Sequence, residues 1–294
     1  MNISHPVAGS DPRHRPPWSR HPYHGRTAVL ATMHDKLPLI APAMLAAIGL
    51  DVHDVPVDTD QLGTFTGDVA RPGTLWATAV AKARLGMDAS RTRLGLASEG
   101  SIGPPPGLAF VIAAVELVVL VDDELDIVIG ETETGFDIVT VSADIALDDN
   151  IEILLQHGRF PAHAMTVRPA VGVLQPIYKG IRTRRELARA IGECAAVSSN
   201  LHARVETDLR AHRCPTRRPI IARAAERLAA CCPECTTPGW GIVRLELGLP
   251  CALCGRCVPV PRADVFGCAR CPAASTVDRD RAVADPADCE WCNP

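Results

Sequence analysis

The sequence predicts an α/β domain with a mixed sheet, followed by a small cysteine-rich domain. Over residues 23–228, short apolar runs of β type alternate with helical runs, an order typical of α/β sandwiches. From residue 229 onward, helix-forming residues become scarce and most cysteines stand in closely spaced pairs. Residues 1–22 contain five prolines and no apolar period, which predicts a disordered arm.

Composition excludes several classes of protein. The 294 residues are 47% hydrophobic, which supports a domain of ordinary size and a smaller one and excludes disorder over the whole chain. The longest apolar run, residues 107–121, contains Glu116 and is too short to span a bilayer. The first residues have no apolar centre typical of a secretory signal. We therefore expect a cytoplasmic protein without a membrane partner.

The first hundred residues predict three strands that alternate with two helices. Strand, helix, strand, helix and strand in this order indicate a partly parallel sheet. The strands are predicted over residues 26–32, 51–57 and 94–97, and the helices over residues 37–48 and 74–87.

The remainder of the α/β region predicts antiparallel strands and three further helices. The predicted strands are residues 108–121, 127–130 and 137–141, one strand within 164–173, and a last strand over 204–207. The predicted helices are residues 150–157, 184–194 and 219–230, the last of which starts with a proline in its first turn.

Four CxxC pairs predict two metal sites in the last domain. Two thiolates separated by two residues can bind one metal, and two such turns make a tetrahedral four-sulfur zinc site. The pairs are Cys232/Cys235, Cys251/Cys254, Cys268/Cys271 and Cys289/Cys292. Redox-active or free thiols are the alternative, which four pairs in 61 residues disfavour.

The spacing of the pairs favours sequential pairing. The first and second pairs are 15 residues apart and the third and fourth are 17 apart, both within the range expected for zinc sites. Interleaved pairing, first with third and second with fourth, requires gaps of 32 and 34 residues and is the less favoured alternative. We expect a double zinc-ribbon domain over residues 229–294. Cys257 could replace Cys254 as a ligand, but we expect it not to bind metal.

Four thiolates complete the coordination sphere of zinc, so catalysis at these metals is not expected. Each such site also adds two negative charges to an acidic tail. Binding to nucleic acid requires Lys and Arg side chains that neutralise phosphate, so nucleic acid is not an expected partner. A structural role, or docking of a protein partner, is the better interpretation of the tail.

The basic segment of residues 204–218 predicts a site for an anion. Although the chain has a net charge of −4, residues 181–228 hold 11 arginines against five acidic residues. Glu206 and Asp208 alternate at the end of the last strand, which predicts a site for Mg²⁺. The side chains predicted to neutralise phosphate beside them are Arg210, His212, Arg213 and Arg217. A solvated surface run is the alternative.

Several motifs resemble those of an uncharacterised bacterial family of unknown function. They are ATMHDK at residues 31–36, the run of residues 58–74, KARLGMD at residues 82–88, LGLASEGSIGP at residues 94–104, and ETDLRAHRCPTR at residues 206–217, followed by the CxxC pairs. The resemblance covers nearly the whole chain from Tyr23 onward and implies no activity.

Residues 26–103 also resemble the inosine/xanthosine triphosphate pyrophosphatase fold. The resemblance rests on Ala31-Thr32 after the first strand, on Thr74, Ala79 and Lys82-Ala83-Arg84 in a helix, and on Ser98-Glu99-Gly100 after a strand. Two departures weaken it. Ala77-Thr78 stands where the family has a Glu-Asn pair for metal and phosphate, and Ser98 stands where it has an acid.

The resemblance implies metal-dependent hydrolysis of a nucleotide-type phosphate. In that hypothesis Glu99 and Asp208 are the catalytic residues that hold Mg²⁺ and water, with Asp208 or Glu206 replacing the missing acid. Phosphate or substrate would also contact Thr32, His34 and Lys36, which follow the first strand. The alternative is a non-catalytic adaptor in which the zinc tail docks a partner and the α/β domain has lost its activity.

Overall fold

A computed structural model of the chain describes residues 21–32, 35–63, 73–104, 111–173 and 175–294. It is a mixed α/β structure with three sheets. The chain divides into two compact units. One unit comprises Ala28–Pro42 and Val52–Ala225, and the other comprises Glu226–Pro294, Ala43–Asp51 and the described residues up to Thr27.

The first sheet has five strands in the order β2-β1-β3-β4-β5. Its strands are β1 (Thr27–Ala31), β2 (Asp51–Val55), β3 (Leu94–Gly103), β4 (Ala113–Asp122) and β5 (Ile127–Gly135). β1 and β3 are parallel, whereas β3, β4 and β5 are antiparallel neighbours. The predicted mixed sheet is therefore present, and β3 extends six residues beyond its predicted end because the segment after Ala97 continues to pair with β4.

Two helices accompany this sheet, α1 (Leu37–Ile48) and α2 (Leu75–Ser90). The side chain of Thr74 accepts a hydrogen bond from the amide of Ala77 and so caps the start of α2. The buried side of α2 packs on alternate residues of the central strands. Its core residues are Ala79, Ala83 and Met87, which pack with Ala97 of β3 and Leu117, Val119 and Val121 of β4.

A second, antiparallel sheet has the order β6-β9-β7-β8. Its strands are β6 (Ser142–Ile145), β7 (Met165–Pro169), β8 (Tyr178–Ile181) and β9 (Ala203–Thr207). The helices of this region are α3 (Glu152–His157), α4 (Arg184–Val197) and α5 (Arg218–Glu226). The Thr183 hydroxyl accepts a hydrogen bond from the Glu186 amide and donates one to the Glu186 carboxylate, which caps the start of α4. The helix packs on the sheet through Leu187, Ala190 and Ile191.

The second sheet corrects two expectations from the sequence. Residues 137–141 do not form a strand, and β6 begins directly after them at Ser142. β8 was not predicted, because four residues that include a glycine carry too weak a β signal. The last strand of the α/β region, β9, belongs to this second sheet. It does not extend the first sheet, which contains Glu99.

The cysteine-rich region contains a third sheet, with the order β10-β11-β12. Its antiparallel strands are β10 (Gly241–Pro250), β11 (Cys257–Gly267) and β12 (Ala274–Asp278). β10 and β11 form a long hairpin, in which Gly241 is paired with Gly267 at one end and Pro250 with Cys257 at the other.

In the part of the chain that the structure describes, every helix is too short or too polar to cross a membrane.

Candidate functional site

The first sheet has a topological switch point between β1 and β3. From β1 the chain passes to β2 on one side, and then returns to β3 on the other side of β1. In open α/β sheets, ligands bind outside the carboxyl ends of the strands at such a point. The residues at this edge are Thr32 and Lys36, which follow β1, and Ser98, Glu99 and Gly100 of β3.

Glu116 is the most deeply buried acid at this edge. It lies in β4 opposite Gly100, with no exposed surface, and forms an ion pair with Arg217, which is 2% exposed. Gly100 makes the pair possible, because a Cβ atom at this position would collide with the Arg217 guanidinium and the Glu116 carboxylate. Burial lowers the pKa of Arg217 to about 10, which leaves the guanidinium charged at neutral pH.

Lys36 reaches the same carboxylate from the loop after β1. Its Nζ lies 3.2 Å from both the carbonyl oxygen and the hydroxyl of Ser98, and 3.9 Å from Glu116. The Ser98 hydroxyl in turn is 3.4 Å from the Glu116 carboxylate. Lys36, Ser98, Glu116 and Arg217 thus form one buried polar network, which we call the Glu116 group.

A second ion pair lies on the opposite face of β3. Successive residues of a strand point to opposite faces, so Glu99 points away from Ser98 and toward α2. There it forms an ion pair with Lys82, and both side chains are buried. Lysines are rare in this chain, with three against 27 arginines, and two of the three lie at this edge of the sheet.

The structure separates the predicted metal-binding acids. Glu99 is paired with Lys82, Asp208 with Arg210 and Glu206 with Arg168, the last at 3.5 Å. The prediction that Glu206 and Asp208 hold a Mg²⁺ ion has no support among the described residues, where they belong to no group of three or more candidate ligands. Each of these carboxylates instead faces a guanidinium group.

The predicted phosphate-binding residues fall into two places. Lys36 and Arg217 belong to the Glu116 group, and Thr32 directly follows β1. Arg210 and Arg213 instead lie against Gly180 of β8, with His212 between them in sequence. Burial, followed by the charges of Arg210 and Arg213, lowers the pKa of His212 to about 4, so its ring is neutral at pH 7. His34 lies outside the described residues.

Sequence reasoning missed a buried contact between a thiol and an imidazole. Cys214 Sγ lies 3.7 Å from Nδ1 of His163. Burial raises the pKa of Cys214 and lowers that of His163, so the pair is a neutral thiol and a neutral ring. A nucleophilic cysteine requires a thiolate, so these shifts do not favour a nucleophilic role for Cys214.

The cysteine pairs form two groups with the spacing of a tetrahedral metal site. In the first group, Cys232 and Cys271 have their sulfurs 3.7 Å apart, and Cys235 and Cys268 are 3.6 Å apart. In the second group, the Cys251–Cys292 and Cys254–Cys289 distances are 3.8 and 3.7 Å. Four sulfurs about 2.3 Å from a central zinc are about 3.8 Å from each other. The two groups could hold two metal ions and fit a zinc-binding tail.

The observed pairing corrects the sequential arrangement that the spacing favoured. The first CxxC pair joins the third, and the second joins the fourth. The reason is the β10–β11 hairpin. β10 has ten residues, and a strand of that length spans about 30 Å, which separates the first pair from the second. The antiparallel return of β11 brings the third pair back beside the first.

The thiols of each group compete for ionisation. The amide of Cys254 lowers the pKa of Cys251 to about 7, whereas the contact with the Cys254 thiol raises the pKa of Cys292 to about 12. Four thiolates at this separation repel one another, and a bound cation removes that repulsion.

Comparison with protein families finds one match. The family described as "Domain of unknown function (DUF6671)" matches residues 82–294, and the chain belongs to this family. The matched residues include β3, the Glu116 group apart from Lys36, and both cysteine groups. A comparison with curated proteins finds no match. The resemblance to the inosine triphosphate pyrophosphatase fold has no support from these comparisons.

Replacing Gly100 tests the importance of the Glu116–Arg217 pair. Gly100→Ala is expected to lower the free energy of unfolding by about 1–3 kcal/mol, since the new methyl group overpacks a buried ion pair. Gly103→Ala in the same strand is the control, because a Cβ there meets no atom within 4 Å. Urea unfolding followed by circular dichroism measures both, and equal stabilities would contradict the interpretation.

Double cysteine variants distinguish the two pairings. Cys232→Ser with Cys271→Ser removes two ligands from one observed group, so we expect one bound metal per chain instead of two. Cys232→Ser with Cys251→Ser damages both groups, so we expect none. Plasma emission spectrometry of the purified proteins gives the metal and its stoichiometry.

Sequential pairing would reverse these two results. The first double variant would then lose both metals and the second would keep one. A wild-type chain with freely titrating thiols and no metal would contradict both arrangements.

Proposed function

We propose that this member of a family of unknown function binds a nucleotide-type phosphate at the switch point between β1 and β3. In this proposal Lys36 and Lys82 provide the positive charge that faces the phosphate. The tail of residues 229–294 is a structural double zinc-ribbon that does not take part in chemistry.

One observation carries the proposal. Two lysines from separate segments lie at this edge of the sheet, Lys36 against Ser98 on one face of β3 and Lys82 against Glu99 on the other. Both ammonium groups are largely removed from water, with side-chain exposures of 12% and 9%. Charges in such an environment act on a bound anion more strongly than charges at the surface do.

The position supports the same interpretation. Both lysines lie near the carboxyl end of β1, beside the segment of β3 that follows its pairing with β1. Buried groups that carry charge cluster at functional sites more often than on structural faces. The Glu116–Arg217 pair lies alongside, where Glu116 of β4 is opposite Gly100 of β3.

Hydrolysis is a separate question from binding. A Mg²⁺-dependent mechanism through Glu99 and Asp208 would require both acids to exchange their present cations for the metal. The present geometry supports binding more directly than hydrolysis. We therefore propose a phosphate-binding protein, and treat release of phosphate from a bound nucleotide as an additional outcome to be measured.

Removing the Lys36 charge tests the proposal. Lys36→Met keeps the apolar part of the side chain, and Glu116 retains Arg217 as its partner. Loss of a charge-assisted bond is worth about 1.5–3 kcal/mol, so affinity for nucleoside triphosphates should fall roughly tenfold to hundredfold. Isothermal titration calorimetry with a panel of nucleoside di- and triphosphates, each with and without Mg²⁺, measures this.

Arg84→Met is the matched control. It removes one positive charge from α2, but this arginine is exposed and paired with Asp123. Its nucleotide affinity should equal that of the wild type. A wild-type protein that binds none of the nucleotides at millimolar concentration, or equal losses in the two variants, would contradict the proposal.

The adaptor hypothesis is favoured by a different observation, at the second cysteine group. The third residue of each CxxC turn there is a large apolar side chain, Leu253 or Trp291, and these are 73% and 70% exposed. In the first group the same positions hold Glu234 and Arg270. Large exposed apolar side chains on a rigid turn are typical of protein contacts.

Site-specific crosslinking tests the adaptor hypothesis. A photoreactive amino acid at position 253 should yield a defined crosslinked protein in cells that express the chain. The same amino acid at position 270, in the equivalent turn of the other group, is the control and should not. Identical crosslinks from both positions would indicate non-specific contact and argue against a docking role.

A further inference from the structure

Two arginines converge on a glycine of the second sheet, away from the switch point. Gly180 of β8 has a φ of +79°, a left-handed conformation that favours glycine. A Cβ atom there would lie 3.1 Å from both Cζ and Nε of Arg213, and 3.3 Å from Nη2 of Arg210. Both guanidinium groups therefore lie over the same point of the backbone, and we call this pair the Gly180 cleft.

Only one of the two guanidinium groups is neutralised. Arg210 forms two hydrogen bonds with Asp208, with Nε 2.9 Å from Oδ1 and Nη2 2.5 Å from Oδ2. Arg213 has no carboxylate within 4 Å in the described part of the chain, and its buried Nε has no hydrogen-bond partner there. A donor that is removed from water without a partner lowers the stability of the fold. A ligand that supplies an acceptor would therefore bind favourably here.

Three other arginines of this region are paired with acidic side chains, unlike Arg213. Arg168 is paired with Glu206, Arg184 with Glu152 and Arg204 with Asp144. Each of these cations faces an acid, as is usual for a surface charge. Arg182 has no acidic partner in the described residues either, but it donates to three backbone carbonyls, whereas the buried Nε of Arg213 donates to none.

The loop that carries the two arginines is held firmly. The amide of Arg213 donates to the carbonyl of Arg210 at 2.9 Å, and the Arg213 carbonyl accepts bonds from the Ala164 amide and from Arg182. Arg182 also donates to the carbonyls of Pro161 and Ala162. Donors that are held in place before binding lose little entropy when a ligand arrives.

We propose that Arg210 and Arg213 bind a phosphate-type oxyanion over Gly180, at a site separate from the switch point. Guanidinium groups match the oxygens of phosphate bidentately, and these two lie close enough together at Gly180 to face one oxyanion. The site does not depend on the function proposed for Lys36 and Lys82.

Titration of the full-length, metal-loaded chain with inorganic phosphate tests the site. In low-salt buffer, calorimetry should give an affinity that Arg213→Gln lowers at least tenfold. Arg184→Gln is the control, because this arginine is exposed and paired with Glu152. Metal content and urea midpoint report whether each variant is folded.

Nuclear magnetic resonance gives a second measurement. The Nε–H resonance of Arg213 should shift on addition of phosphate, since this donor gains an acceptor. Sulfate should compete with phosphate, whereas acetate should not.

Three results would overturn the proposal. They are no phosphate binding by the wild type at millimolar concentration, equal affinity in Arg213→Gln and the wild type, and equal losses in Arg213→Gln and Arg184→Gln. Equal competition by acetate would contradict the class of ligand.

Discussion

The buried pair of Glu116 and Arg217 is the interaction on which the α/β unit depends most. Glu116 belongs to a central strand of the first sheet, whereas Arg217 ends the loop that follows β9 of the second sheet. Arg217 also donates to the carbonyl of Leu209 and so closes that loop on itself. Removing one partner would leave an uncompensated charge in the interior, which is among the most costly defects a protein can have.

This constraint positions the other charged groups. Because Arg217 is fixed beneath Gly100, the loop of residues 208–217 has little freedom, and Arg210 and Arg213 are directed to Gly180. Lys36 reaches Glu116 from the other side through Ser98. One ion pair therefore connects the switch point of the first sheet with the cationic loop of the second.

Sequence reasoning predicted the elements better than the site. The alternation of apolar and helical runs predicted the first sheet and α2, and the CxxC motifs predicted all eight cysteines of the two groups. The spacing could not predict how the CxxC pairs combine, because the number of residues between two pairs does not show whether a strand separates them. The apolar alternation in residues 242–249 was the available signal for β10, and hence for the interleaved arrangement.

The site was less predictable because its partners are distant in sequence. A glutamate within an otherwise apolar strand was a sign that Glu116 is paired, but its partner lies 101 residues away. The compact motif of residues 206–217 suggested one phosphate site, whereas its arginines point in two directions.

The interleaved cysteines have a consequence for how the tail comes apart. One group lies at the open end of the β10–β11 hairpin, beside Gly241 and Gly267, and the other lies at its turn, beside Pro250 and Cys257. A metal bound in each group would hold one end of the same ladder of hydrogen bonds. A chain that lost one of the two metals would then be expected to fray from that end, while the strands stay paired toward the other metal. Unfolding of the tail would proceed in two steps, in an order set by which end releases its ion first.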